Sequence, residues 1–212
     1  MSMAVVRVIE RESGKKIADL AQALAGHSLG EYSALAAAGA LSLSDAARLL
    51  RLRGDAMQQA VPVGEGAMAA LLGADIPLAE EIAGAAAGGE VCGLANDNAV
   101  GQVVLSGAKP AIDRAVALAG EKGVKKAVLL PVSAPFHCAM MAPAAEIMAN
   151  ALAATELNPP MVPVFANVSA APVREPDEIR DLLERQVTAM VRWRESVLAM
   201  GAAGVGQLVE VG

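Results

Sequence analysis

Residues 22–39 read QALAGHSLGEYSALAAAG, and the reading of this stretch decides the fold. Gly26-His27-Ser28-Leu29-Gly30 matches G-x-S-x-G, a sharp strand-to-helix turn in which small neighbours leave a serine hydroxyl exposed. A glycine-rich turn with a passenger serine would carry the same letters, so the flanks must decide. Ile17 to Ala25 is rich in Ala and Leu, which favours helix on propensity. The turn that follows asks for a strand, and we assign one to Gln22–Ala25 only. Leu29 to Gly39 then reads as a helix closed by glycine. Ser42-Leu43-Ser44-Asp45 caps a second helix that runs through Gln59. The first of these helices aims its N-terminal N–H groups at the serine, so the Leu29 amide is placed to donate to an oxyanion.

Beyond Gly66 the pattern changes to short runs. Ala67–Leu72 is extended, Pro77–Ala87 helical, Glu90–Ala95 and Gly101–Ser106 extended, Pro110–Lys122 helical and Val124–Val132 extended. The order βαββαβ is the ferredoxin-like unit, which can fold as its own lobe over residues 61–132. The chain then returns to a main lobe made of residues 1–60 and 133–212. There Ala142–Leu152 reads as helix, Pro163–Val168 as strand, Asp177–Met200 as helix and Gln207–Val211 as a final strand. The expected fold is α/β, a hydrolase-like parallel-sheet core with an inserted ferredoxin-like βαββαβ lobe.

Composition removes several functions. Hydrophobic residues make up 55% of 212, ample for a core, while aromatics are 2% and the net charge is −6. Nucleic acid wants a basic excess and stacking rings, and neither is present. Charges at Arg7, Glu10, Arg11 and Glu12 precede any long apolar run, unlike a signal peptide, and no run approaches the roughly 20 residues of a membrane span. Cys92, Cys138, His27 and His137 form neither a disulfide framework nor a metal-ligand cluster, so the expectation is a cytoplasmic protein with no metal; a monomer is expected as well.

A serine nucleophile needs a base. His27 is its neighbour in the turn, where consecutive side chains diverge. His137 lies in Pro131-Val132-Ser133-Ala134-Pro135-Phe136-His137-Cys138, a rigid proline-containing segment, and is the better candidate. Arg51 and Arg53 interrupt the apolar run Leu49–Arg53. A solvated helix face explains both. The functional alternative is that Arg53 presents a planar fork to a substrate carboxylate.

With these residues in view, Ala25 to Ala60 resembles the active-site stretch of bacterial malonyl-CoA:acyl-carrier-protein transacylases. The likeness continues through GAMAALLG at Gly66–Gly73, Asn96-Asp97-Asn98 before GQVVLSG, LPVSAPFHCAMM at Leu130–Met141, and Arg185-Gln186. The resemblance implies that Ser28 takes malonyl from coenzyme A as an ester and passes it to the phosphopantetheine thiol of acyl carrier protein. It makes His137 the general base and acid, and Gln186 the residue whose backbone carbonyl orients that histidine. Leu29 becomes an oxyanion donor and Arg53 the holder of the malonyl carboxylate. His27, Phe136 and Asn98 fall at the substrate, with Phe136 matching malonyl-selective relatives. No cofactor is implied beyond the carrier's own phosphopantetheine, and Lys109, Lys125 and Lys126 are candidates for carrier docking.

Two departures bear on this. Relatives begin with a strand and a glycine- and glutamine-rich loop that supplies a second oxyanion donor, and nothing in this sequence matches it, so the core is expected to be incomplete. Val187-Thr188-Ala189-Met190 replaces an Asn-Pro-containing stretch. A serine hydrolase or thioesterase using the same Ser28 and His137, a trans-acting acyltransferase of polyketide assembly, and an inactive remnant remain as alternative readings.

Overall fold

The computed structural model describes residues 1–212, and its chain builds two sheets, each with its own helices. Helix α1 (Ser2–Ser13) stops at Gly14, which takes the left-handed conformation that a side chain would resist. A single turn α2 (Ile17–Leu20) leads to β1 (Leu24–Ala25), the elbow, and α3 (Gly30–Ala37). Helix α4 (Leu43–Ala60) starts where the cap was expected, with the Ser42 hydroxyl accepting the Asp45 N–H at 3.0 Å.

The next six elements are β2 (Gly66–Leu72), α5 (Ile76–Ala87), β3 (Cys92–Ala99), β4 (Gln102–Ala108), α6 (Lys109–Glu121) and β5 (Lys126–Leu129). Their sheet has the order β3-β4-β2-β5, with every neighbouring pair antiparallel. Alternation along β2 and β4 sends Ala69, Leu71, Val103 and Leu105 to the face covered by α5 and α6, where Ile82 and Ile112 meet them. Met68 and Val104 point the other way and join Ala95 and Phe136.

The remainder is α7 (Ala142–Ala153), β6 (Val164–Ala166), β7 (Ala171–Val173), α8 (Pro176–Gln186) and α9 (Trp193–Ala202). The second sheet has the order β1-β6-β7, parallel between β1 and β6 and antiparallel between β6 and β7. Tyr32, Leu35, Leu49, Met57, Met148, Leu152 and Leu183 fill the large core beside it. The architecture is mixed α/β.

Three expectations change. The helix read over Asp177–Met200 is two helices, because Val191 uses its backbone on β3: its N–H donates to the Ala95 carbonyl and its carbonyl accepts the Asp97 N–H, both at 2.9 Å. A residue committed to a strand edge cannot also close helical turns. Gln207–Val211 is not a strand, since no neighbouring strand pairs with it, and its Leu208 and Val209 are exposed. β7 was not anticipated; at three residues it is too short to show an alternation.

Candidate active site

The elbow is a strained turn held by one asparagine. Ser28 sits at φ +52°, in the left-handed region that costs a non-glycine residue on the order of 1 kcal/mol or more. Asn167, at the end of β6, accepts the Ser28 N–H through Oδ1 at 2.6 Å and donates Nδ2 to the Gly26 carbonyl at 2.8 Å. The two motif glycines are unequal. A Cβ on Gly26 would overlap the Gly30 carbonyl, whereas Gly30 has open space around it. The Leu29 N–H precedes α3 and has no acceptor within the protein, so it is free to donate at the serine.

His137 reaches the same hydroxyl from the segment that follows β5. Its Nε2 lies 2.8 Å from Ser28 Oγ, and its Nδ1 lies 2.8 Å from the Gln186 carbonyl oxygen. A carbonyl can only accept, so Nδ1 carries the proton and Nε2 is the free acceptor for the serine proton. Gln186 is the last residue of α8, and the end of the helix leaves that carbonyl without a backbone donor. The Val187–Met190 stretch therefore keeps this contact. The histidine segment crosses β2 where a Cβ on Gly66 would overlap the Pro135 ring, so glycine there lets the loop lie close. Burial, reinforced by the charge of Arg53, holds the His137 imidazole down at about 4, so it is neutral near pH 7.

The two arginines of α4 part company. Arg51 pairs with Asp55 at 2.8 Å in solvent. Arg53 is 6% exposed, and its Nη2 donates to Ser28 Oγ at 2.9 Å and to Gln186 Oε1 at 3.1 Å. Its Nε is buried without a partner. The serine oxygen thus accepts from a guanidinium while its proton faces a neutral imidazole, an arrangement that stabilises developing negative charge on Oγ.

His27 turns away from this triad, as expected of a neighbour in the elbow. Its Nε2 lies 2.8 Å from Asn98 Oδ1, and its ring meets Trp193 edge-on with centroids 5.5 Å apart. Phe136 is half-buried, packed between the large core and the Met68, Ala95 and Val104 cluster. Of the docking candidates, Lys109 is paired with Asp113 at 2.6 Å, and Lys125 and Lys126 are exposed beside and on β5.

Two residues of the site were missed from sequence. Asn167 carries no signal beyond being a polar residue after an apolar strand. Glu31 reads as an acid in the first turn of α3, the ordinary surface partner of a helix dipole. It is in fact 2% exposed, and its Oε2 accepts the Asn167 backbone N–H at 3.0 Å and Gln186 Nε2 at 2.7 Å. Burial pushes its carboxyl up to about 7 against the opposing pull of these donors and of Arg53. The available signal was a charged residue directly before Tyr32, Ala34 and Leu35, all buried.

Known proteins share this arrangement of chain. A family model described as acyl transferase domain matches residues 10–212. The malonyl CoA-acyl carrier protein transacylase of Escherichia coli K12 is 47% identical over 211 residues, covering 100% of this chain and 67% of that protein. The structure of an acyl-carrier-protein-S-malonyltransferase from Bartonella henselae superimposes with a TM-score of 0.96 at 54% identity, again over 100% of this chain and 67% of the other. A malonyl-transacylase in complex with its type II PKS acyl-carrier protein matches with a TM-score of 0.94 at 42% identity, over 100% and 67%. A match that takes in the elbow, the histidine loop and the end of α8 in one alignment leads to a single conclusion, that this chain belongs to the acyl transferase family.

Proposed function

We propose that this chain transfers a malonyl group from malonyl-CoA to the phosphopantetheine thiol of acyl carrier protein through an ester on Ser28. The observation that carries the reading is the sharing of Ser28 Oγ between a neutral base, His137 Nε2 at 2.8 Å, and a buried cation, Arg53 Nη2 at 2.9 Å.

In the first half-reaction Ser28 Oγ attacks the thioester carbonyl while its proton passes to His137 Nε2. The Gln186 carbonyl, already holding Nδ1–H, stabilises the imidazolium. The Leu29 N–H donates to the tetrahedral oxyanion. Collapse breaks the C–S bond, and the departing thiolate takes the proton from His137. The second half runs in reverse: the carrier thiol gives its proton to His137, its sulfur attacks the ester carbonyl, and collapse breaks the C–O bond to Ser28, whose oxygen takes the proton back from His137. Arg53 holds the malonyl carboxylate by its fork, turning binding energy remote from the carbonyl into orientation of the reacting centre. His27 and Asn98, joined to each other beside Ser28, and Phe136 border the acyl site. Nucleophile, base and anion holder are all side chains, so the chemistry calls for no cofactor or metal of the protein's own.

We assign the main lobe to residues 1–60 and 133–212 and the small lobe to 61–132. The strand order β3-β4-β2-β5 with α5 and α6 on one face supports the ferredoxin-like reading of the latter. No helix is long and apolar enough to cross a membrane. We place the protein in the cytoplasm, in keeping with its two free cysteines, and read it as a monomer.

The test is steady-state transfer from malonyl-CoA to a holo carrier protein, with free malonate measured in parallel. The expected result is malonyl-carrier formation far exceeding hydrolysis, abolished in Ser28→Ala. Hydrolysis that equals or outruns transfer would make the chain a thioesterase instead.

A further inference from the structure

We propose that Glu31 is a positioning residue for acyl selectivity, acting on Arg53 through the side-chain amide of Gln186; this rests on the malonyl-transfer reading above. The geometry separates two jobs of Gln186. Its backbone carbonyl holds His137, a position set by the end of α8. Its side-chain amide lies between Glu31 and Arg53, with Nε2 donating to Glu31 Oε2 at 2.7 Å and, at a longer 3.2 Å, to the Ser28 carbonyl, and Oε1 accepting from Arg53 Nη2 at 3.1 Å.

Oε2 of Glu31 already accepts the Asn167 backbone N–H, so this oxygen faces Gln186 as an acceptor whether or not the other carboxyl oxygen carries a proton. Glu31 therefore admits one orientation of that amide, nitrogen toward itself and oxygen toward the guanidinium. The same Oε2 also accepts the Asn167 N–H, which keeps it from swinging away. Remove the carboxylate, and the amide is free to rotate and present its NH₂ to Arg53. A donor facing a donor pushes the guanidinium off its aim. The fork that selects a dicarboxylic acyl group then loses its support, while the contacts of His137 with Ser28 Oγ and with the Gln186 carbonyl do not run through Glu31.

The damage should therefore fall on malonyl more than on an acyl group without a second carboxylate. Rates of Ser28 acylation by malonyl-CoA and by acetyl-CoA are measured by intact-protein mass spectrometry on the full chain, with the wild type and Arg53→Ala as references. Glu31→Ala should lower the malonyl-to-acetyl ratio roughly 10- to 100-fold, the effect of one misplaced buried hydrogen bond. Glu31→Gln, whose carbonyl oxygen is fixed in place by the same two donors, should recover most of the ratio. Gln186→Met is the second route should Glu31→Ala fail to fold. It deletes the amide, including its 3.2 Å bond to the Ser28 carbonyl, but keeps the backbone carbonyl on His137; a general loss is read from the acetyl rate, and the malonyl-to-acetyl ratio should still fall.

Equal losses of malonyl and acetyl transfer in Glu31→Ala or Gln186→Met would make Glu31 merely structural and overturn the assignment. So would a Glu31→Gln protein as unselective as Glu31→Ala. A wild-type chain that accepts acetyl but no malonyl overturns the malonyl reading itself, and this inference with it; a wild type that loads malonyl with an unchanged ratio in the variants overturns this inference alone.

Discussion

Ser28 Oγ has two partners of different character, and each makes a separate prediction. His137 is held neutral by burial and by Arg53, with its imidazole at about 4. A base is lost when it is protonated, so the rate of Ser28 acylation should hold as pH falls from 7 through 6 and drop only as pH approaches 4. A pH profile of kcat/KM checks this; a descending limb near 6.5, the ordinary imidazole value, would contradict it. Arg53 binds through a planar fork, so Arg53→Lys should cost about 10²-fold in malonyl transfer although the charge is kept, measured as kcat/KM against an acetyl reference. Both residues were legible in the sequence because each interrupts its local pattern, a histidine after prolines and an arginine in an apolar helix. Glu31 was not, because an acid in a first helical turn has an ordinary explanation that needs no burial. Asn167 could not be read at all, because its partners, Ser28 and Gly26, are about 140 residues away along the chain.

Among the elements, the elbow and β3 hold the contacts that join distant parts of the chain. A Cβ at Gly26 would strike the Gly30 carbonyl, while Gly30 lies at the start of α3 in open space. Gly26→Ala should destabilise the fold by about 3 kcal/mol or prevent it, whereas Gly30→Ala should fall within about 1 kcal/mol of wild type; urea melts decide between them. The sequence showed the glycines as a pair and could not rank them, because the difference depends on which one the turned chain folds back upon. At β3, Asp97 receives Arg194 Nε through both carboxylate oxygens, at 3.0 and 2.9 Å, and tethers α9 beside the Val191 bridge. The Asp97 side chain is 1% exposed and that of Arg194 is 30% exposed. Removing the arginine strands a buried carboxylate, whereas removing the aspartate leaves an arginine that can turn to water. Arg194→Ala should therefore cost about 3 kcal/mol and Asp97→Ala distinctly less, again by urea melts. This bridge also explains why one long helix was expected and two were found. An amphipathic pattern persists through Thr188–Arg192, but the backbone there pairs with a strand that lies about 95 residues earlier.

The molecule as a whole carries two buried titrating groups whose effects on stability oppose each other. Glu31 is raised from 4.5 to about 7, so the folded state holds a proton that the unfolded state releases, and stability falls as pH rises from about 4.5 to 7. His137 is lowered from 6.5 to about 4, so the unfolded state takes up a proton that the folded state refuses, and stability rises from about pH 4 to 6.5. Each is on the order of 3 kcal/mol, and over their shared window they offset, leaving the wild type nearly flat. Glu31→Gln should expose a rise in melting temperature from pH 4.5 to 6.5, and His137→Gln a fall; a parallel pH dependence in the two variants would contradict the burial that causes both shifts. At this scale the sequence disclosed the α/β class and the placing of Ser28, His137 and Arg53 around one point, since the element order and the quoted motifs carried that much. It misjudged Gln207–Val211, where alternation imitates a strand that has no partner to pair with. The central claim is that this chain forms a malonyl ester on Ser28, and intact-protein mass spectrometry after mixing with malonyl-CoA tests it directly. A single malonyl adduct that disappears in Ser28→Ala is the expected result, and a folded wild-type chain that gains no mass would contradict it.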